Sequence, residues 1–125
     1  ANVSVKCITK NNIEMMGVFS NISFKKGDLI EYGLARVLNN VDGHDNPYLF
    51  TWSDGIPNKT WALLSGCATF YNTSLTPNVE FVRDFNHNIF KVRALEDIDS
   101  NTELVHTYKS LKWRGCFKEL FNNLN

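Results

Sequence analysis

Short runs of alternating apolar and polar residues, rich in Val, Ile, Phe and Tyr, carry this chain from residue 3 to residue 108, each cut off by a polar or glycine-bearing turn. This pattern constrains the fold most, because side chains that repeat at every second residue build sheet faces rather than helical stripes. VSVKCIT (residues 3–9), GVFS (17–20) and LIEYGLARVL (29–38) read as strands, separated by a polar turn at 10–12 and by KKGD, where Gly27 supplies the turn. Residues 39–47 form a polar loop, followed by YLFTW, a turn at SDGIPN (53–58) and the apolar run TWALLSGCATF. EFVRDF and NIFKVRAL predict a hairpin around residues 86–88, and TELVHTY (102–108) a last alternating strand after the turn DIDSN. Only SLKWRGCFKELFNNL has helical spacing: Leu111, Cys116, Phe117, Leu120, Phe121 and Leu124 can share a face, although Gly115 weakens the helix. The expected fold is mainly β, a single domain over residues 1–125 with a helical cap at about 110–124.

Charge and cysteine usage narrow the function. Thirteen basic and thirteen acidic side chains cancel, so nothing global draws the chain to nucleic acid or an anionic membrane. The basic residues near KSLKWRGCFK read as a solvated face, and no direct nucleic-acid contact is expected. No apolar run approaches a membrane span and no signal-peptide pattern opens the chain, which predicts a soluble intracellular protein, with nucleus and cytoplasm not distinguished. Cys7, Cys67 and Cys116 are odd in number and far apart, which predicts free thiols and no structural zinc. The sequons at Asn2, Asn21, Asn58 and Asn72 are of the kind an Asn- and Ser/Thr-rich chain produces by chance.

Three segments stand in a definite order: GVFSNISFKKGDLIEY, GCATFYNTSLTPNVEF and NTELVHTYKSLKW. Together they resemble the SET-domain family of protein lysine methyltransferases over about residues 15–113, and the short chain is similar to the minimal, viral-type members. The resemblance implies a β-clip-like fold of short curved sheets, with a knot-like C-terminal threading in which TELVHTY passes beside the Asn72 loop. It also implies methyl transfer from S-adenosylmethionine to the side-chain amine of a lysine in a protein or peptide, histone or other. Asn72 matches the family's cofactor-binding Asn, and Thr73 stands where the family has His, a place where the backbone meets the adenine. Met16 and Gly17 match the end of the glycine motif that makes room for the methionine part of the cofactor, with Met15 replacing its first glycine. Tyr108 takes the place of the catalytic tyrosine, and Tyr71, Phe81 and His106 fall at the substrate channel. Phe81 in place of a hydroxylated ring favours higher methylation. Glu103 fits a structural carboxylate before the last strand, and Pro77-Asn78 a turn whose amide satisfies unpaired backbone groups. Trp113 and Phe117 offer flat apolar surface to cover the adenine or wall the channel. A dimer through an exposed strand edge is compatible with the minimal members.

Each of these residues has a plainer reading. Asn72-Thr73-Ser74 also fits a strand leaving a sheet through an Asx turn, Tyr108 an inward strand aromatic, His106 a half-buried strand histidine, and Trp113 the apolar face of a terminal helix. Met15 and Thr73 motivate an alternative function, a non-catalytic SET-like module that binds a peptide or protein partner along a sheet edge. An unrelated structural β domain is the third reading.

Overall fold

A computed structural model describes residues 1–55 and 57–124. Among these, nine strands and one helix appear in chain order: β1 (Val3–Lys10), β2 (Ile13–Ser20), β3 (Leu29–Leu38), β4 (Phe50–Thr51), β5 (Trp61–Leu64), β6 (Asn72–Thr73), β7 (Val79–Asp84), β8 (Ile89–Ala94), β9 (Glu103–His106) and α1 (Lys118–Asn123). The turn expected at 53–58 includes Ile56, which lies outside the described residues.

β1 and β2 form a hairpin whose two turn residues, Asn11 and Asn12, both have positive φ (51° and 64°), the conformation a right-handed twisted hairpin prefers and Asn tolerates. This tight turn lets β2 start at Ile13 rather than Gly17, so Met15 and Met16 belong to the strand. β3 matches its expected span, and β7 and β8 form the expected hairpin, with Asn88 at φ 51° in its turn.

Two sheets result, a four-stranded one in the order β1-β2-β9-β6 and a five-stranded one in the order β4-β5-β3-β8-β7. β9, near the end of the chain, is inserted between β2 and β6, antiparallel to the first and parallel to the second. A parallel neighbour cannot be made by a tight turn, so the long return of the chain past the Asn72 segment is built into the topology. Val18 and Leu104, opposite one another in β2 and β9, are fully buried, and with Tyr71, Val79, Phe81, Phe90 and Val92 they form the core between the sheets.

Three expectations need correction. The run TWALLSGCATF is strand only over Trp61–Leu64: Ala68–Phe70 is a 3₁₀ turn, reached through Gly66 at φ 67°. TELVHTY is strand only over Glu103–His106, and Tyr108 lies beyond it, just ahead of the turn that begins at Lys109. The C-terminal segment is helical only from Gly115 onward, a 3₁₀ turn (Gly115–Phe117) running into α1, because the residues before Gly115 are bent by tertiary hydrogen bonds described below.

Candidate active site

The crossing of β6 and β9 sets the site. Asn72 pairs with Val105 and Thr73 with His106. Beyond the strands the contact continues: the Ser74 amide donates to His106 O (3.1 Å), the Tyr108 amide to Thr73 Oγ1 (3.1 Å), and the Tyr108 hydroxyl to Tyr71 O (2.8 Å). Thr73 thus has a structural task, accepting a backbone proton that β9 leaves free on ending at His106.

On one side of this crossing lies a polar cluster. The Asn72 amide donates to Met16 O (2.9 Å) and to Glu103 Oε2 (2.8 Å), and Lys10 Nζ pairs with Glu103 Oε1 at 2.9 Å. Glu103 is the first residue of β9 rather than part of the turn before it, and it holds Asn72 in place. A Cβ on Gly17 would stand 2.6 Å from Glu103 Oε2 and 3.3 Å from the Asn72 amide nitrogen, so any larger residue there must push that carboxylate aside. Met15 occupies its strand without a positive φ, so no glycine is required at that backbone position.

On the other side a cavity of about 50 Å³ is walled by Tyr71, Phe81, His106, Tyr108 and Phe117. Phe81 and His106 stack with centroids 4.2 Å apart, Tyr71 stands edge-on to Phe81 at 5.1 Å, and the Phe117 ring lies 5.0 Å from Tyr108. Glu31 fixes Tyr71 by accepting its hydroxyl proton at 2.8 Å, and burial together with that carboxylate raises the Tyr71 pKa far above the usual phenol range. Burial, aided by the Glu103 charge, pushes Tyr108 up to about 12, so its hydroxyl keeps its proton at neutral pH. His106 is pressed the other way, to about 3, by burial and by the Lys109 charge. Its Nε2 is buried with no hydrogen-bond partner, in a protein where such atoms normally find one.

Trp113 does not line this cavity. Half exposed, it packs edge-on to His44 at 5.6 Å and lines an open groove with Ser53 and Asn58. The cause is its neighbour. The buried Arg114 guanidinium donates to the carbonyl oxygens of Gly43 (2.9 Å), Leu49 (2.7 Å) and Asn46, and stacks between Trp61 and Phe117. The Cys116 amide donates to His44 O, so the whole C-terminal segment is drawn onto the loop at residues 43–49. Arg114, expected with its basic neighbours on a solvated face, is instead buried, and neither Glu31 nor this role of Glu103 was signalled by the sequence.

Among the described residues no group of three His, Cys, Asp or Glu side chains is arranged to hold a metal ion, and no helix is long and apolar enough to cross a membrane. The sequence profile of the SET domain matches residues 15–109. The chain belongs to the SET-domain family. Among curated proteins none matches this SET domain in sequence. Solved structures with the same fold include a protein of Plasmodium falciparum described as a candidate histone methyltransferase (23% identity, TM-score 0.64), with 87% of this chain and 96% of that one covered. The Neurospora histone lysine methyltransferase DIM-5 aligns at 18% identity and TM-score 0.61, over 85% of this chain and 52% of its own. A Polycomb Repressive Complex 2 bound to S-adenosylmethionine aligns at 17% identity and TM-score 0.68, over 97% of this SET domain but only 16% of that chain.

Proposed function

We propose that this SET domain transfers a methyl group from S-adenosylmethionine to the side-chain amine of a lysine in a protein substrate. The observation that carries the reading is the meeting of two sites at one crossing: Asn72 and Thr73 follow directly on Tyr71, whose carbonyl holds the Tyr108 hydroxyl at the wall of the cavity. The cofactor, when bound, supplies an electrophilic methyl on a sulfonium. Met16, Gly17, Asn72 and Thr73 would hold its amino-acid and adenosine parts. The absent Cβ of Gly17 lets Asn72 and Glu103 close on the β2 backbone, and with the Asn72 amide protons spent on Met16 O and Glu103, its side-chain oxygen is left to accept from the cofactor's ammonium.

The remaining chemistry belongs to the chain's own residues. Tyr108 spends its proton on Tyr71 O, so the phenol oxygen turns its lone pairs to an amine N–H and orients the nitrogen. The amine must arrive uncharged, and the apolar walls formed by Phe81 and Phe117 disfavour the ammonium by desolvation. His106, neutral at pH 7, can accept a hydrogen bond from that amine at Nε2 but cannot act as its base.

Calorimetric titration with S-adenosylmethionine, paired with mass-spectrometric detection of methyl transfer to lysine-bearing peptides, tests the reading. Tyr108→Phe should lower turnover by roughly 10²–10³ with cofactor affinity nearly unchanged, and Asn72→Ala should lose the affinity. Undiminished turnover in Tyr108→Phe would sink the assignment of that residue. Peptide binding with no cofactor heat would leave only the non-catalytic binding module.

A further inference from the structure

Among the described residues, the cavity that would receive the lysine is lined by three cations, Arg83, Lys109 and Arg114, and by no carboxylate. Their charges are not equally answered. Arg83 is paired with Asp54 and also donates to Thr51 O, so its charge is cancelled where it stands. Arg114 is held by carbonyl oxygens and the Ser110 hydroxyl, neutral acceptors that satisfy its protons and leave its charge in place. Lys109 is exposed, and among the described residues it takes part in no ion pair.

The cavity adjoins an open groove of about 550 Å³, and Thr51, Arg83 and Lys109 line both. Among the described residues the groove has one carboxylate of its own, Asp54, and Arg83 already engages it. His44, which also lines the groove, is turned to Asp42 at 2.7 Å. Lys109 therefore stands at the mouth as an unanswered positive charge, with the buried Arg114 charge behind it. A lysine carried in a basic segment meets like charge on entry. A carboxylate beside the target lysine removes that conflict, because it can pair with Lys109 while the amine passes inward.

We infer that the groove takes an extended segment in which the target lysine is flanked by Asp or Glu, with Lys109 as the residue that selects it. The inference rests on the methyltransferase reading for the lysine's position, but the charge preference of the groove can be measured by itself. Three fluorescent peptides would be used, alike except that the single central lysine is flanked by glutamates, by glutamines or by arginines. Each is titrated by anisotropy against the wild-type chain and Lys109→Glu, and each is assayed for methyl transfer.

The glutamate-flanked peptide should bind about fivefold more tightly than its glutamine counterpart at low salt, with the gap closing as salt is raised. Lys109→Glu, an exchange at an exposed position, should reverse the order in favour of the arginine-flanked peptide. Equal binding of all three, or tighter wild-type binding of the arginine-flanked peptide, overturns the inference. Methyl transfer without any charge preference also overturns it and leaves the enzyme reading standing. Charge-ordered binding without transfer supports the inference and counts against the enzyme reading.

Discussion

A neutral imidazole buried against an aromatic ring loses free energy whenever it must take a proton, and His106, stacked on Phe81 and held at about 3, is such a group. In the unfolded chain the same imidazole titrates near its ordinary 6.5. Between those values the unfolded state binds a proton that the folded state does not, so stability rises with pH across that window. The contribution is complete above about pH 6.5 and falls away toward pH 3. At pH ~4.5 it should have removed about 2–3 kcal/mol relative to neutral pH. Urea midpoints at both values should show that loss in the wild type and a shallower one in His106→Phe, whose ring keeps the stack on Phe81. Asp42 and Asp84, lowered by their His44 and His87 partners, are unchanged by the substitution and cancel in the comparison. Equal slopes in the two proteins would show that His106 is not the group that titrates.

At the scale of elements, the cap depends on one side chain. The Arg114 fork reaches three carbonyl oxygens on the loop at residues 43–49 while its plane lies between two aromatic rings, an arrangement that a lysine's single ammonium cannot reproduce. Arg114→Lys should therefore cost about 2–4 kcal/mol and raise amide exchange in residues 43–49 and 110–117 together. Faster exchange in only one of those segments would show that they are not coupled. This joint also marks where sequence reading stops. Asn11-Asn12, the turn at 86–88 and the alternation of β3 are local signals, set by positive φ and period-two burial, and they were legible. The strand limits of TELVHTY and the bend before Gly115 were not, because they are decided by Thr73 and by loop carbonyls from other parts of the chain. Of the candidate residues, the order of three segments brings Asn72 and Gly17 into one cluster and Tyr71, Phe81, His106 and Tyr108 to one cavity wall, whereas Trp113 lines the groove beside the buried arginine.

At the scale of the molecule, the two sheets share no strand, and something must hold β9 of the first against the hairpin of the second. Asn78, fixed behind Pro77 at the entrance to β7, performs that joining. Its side chain donates to Glu103 O (2.9 Å) and accepts from the Val105 amide (2.9 Å), both in β9. Its own backbone donates to Val105 O and accepts from the Leu95 amide at the end of β8. Backbone groups satisfied by one amide are left without partners when it is removed, and each half-buried group so stranded costs about 1–3 kcal/mol. Asn78→Ala should lower the unfolding free energy by about 2–4 kcal/mol. Asn78→Asp, which keeps the acceptor for Val105 and loses the donor to Glu103 O, should fall between the two. The loss should also reach the site, since β9 positions both Glu103 under Asn72 and His106 in the cavity wall. Cofactor titration of Asn78→Ala at a temperature where it remains folded should show weakened binding, although Asn78 itself is given no part in holding the cofactor. Reduced stability with unchanged cofactor affinity would mean that the Asn72 cluster is held from β2 and β6 alone, and that the joint serves the fold without serving the site.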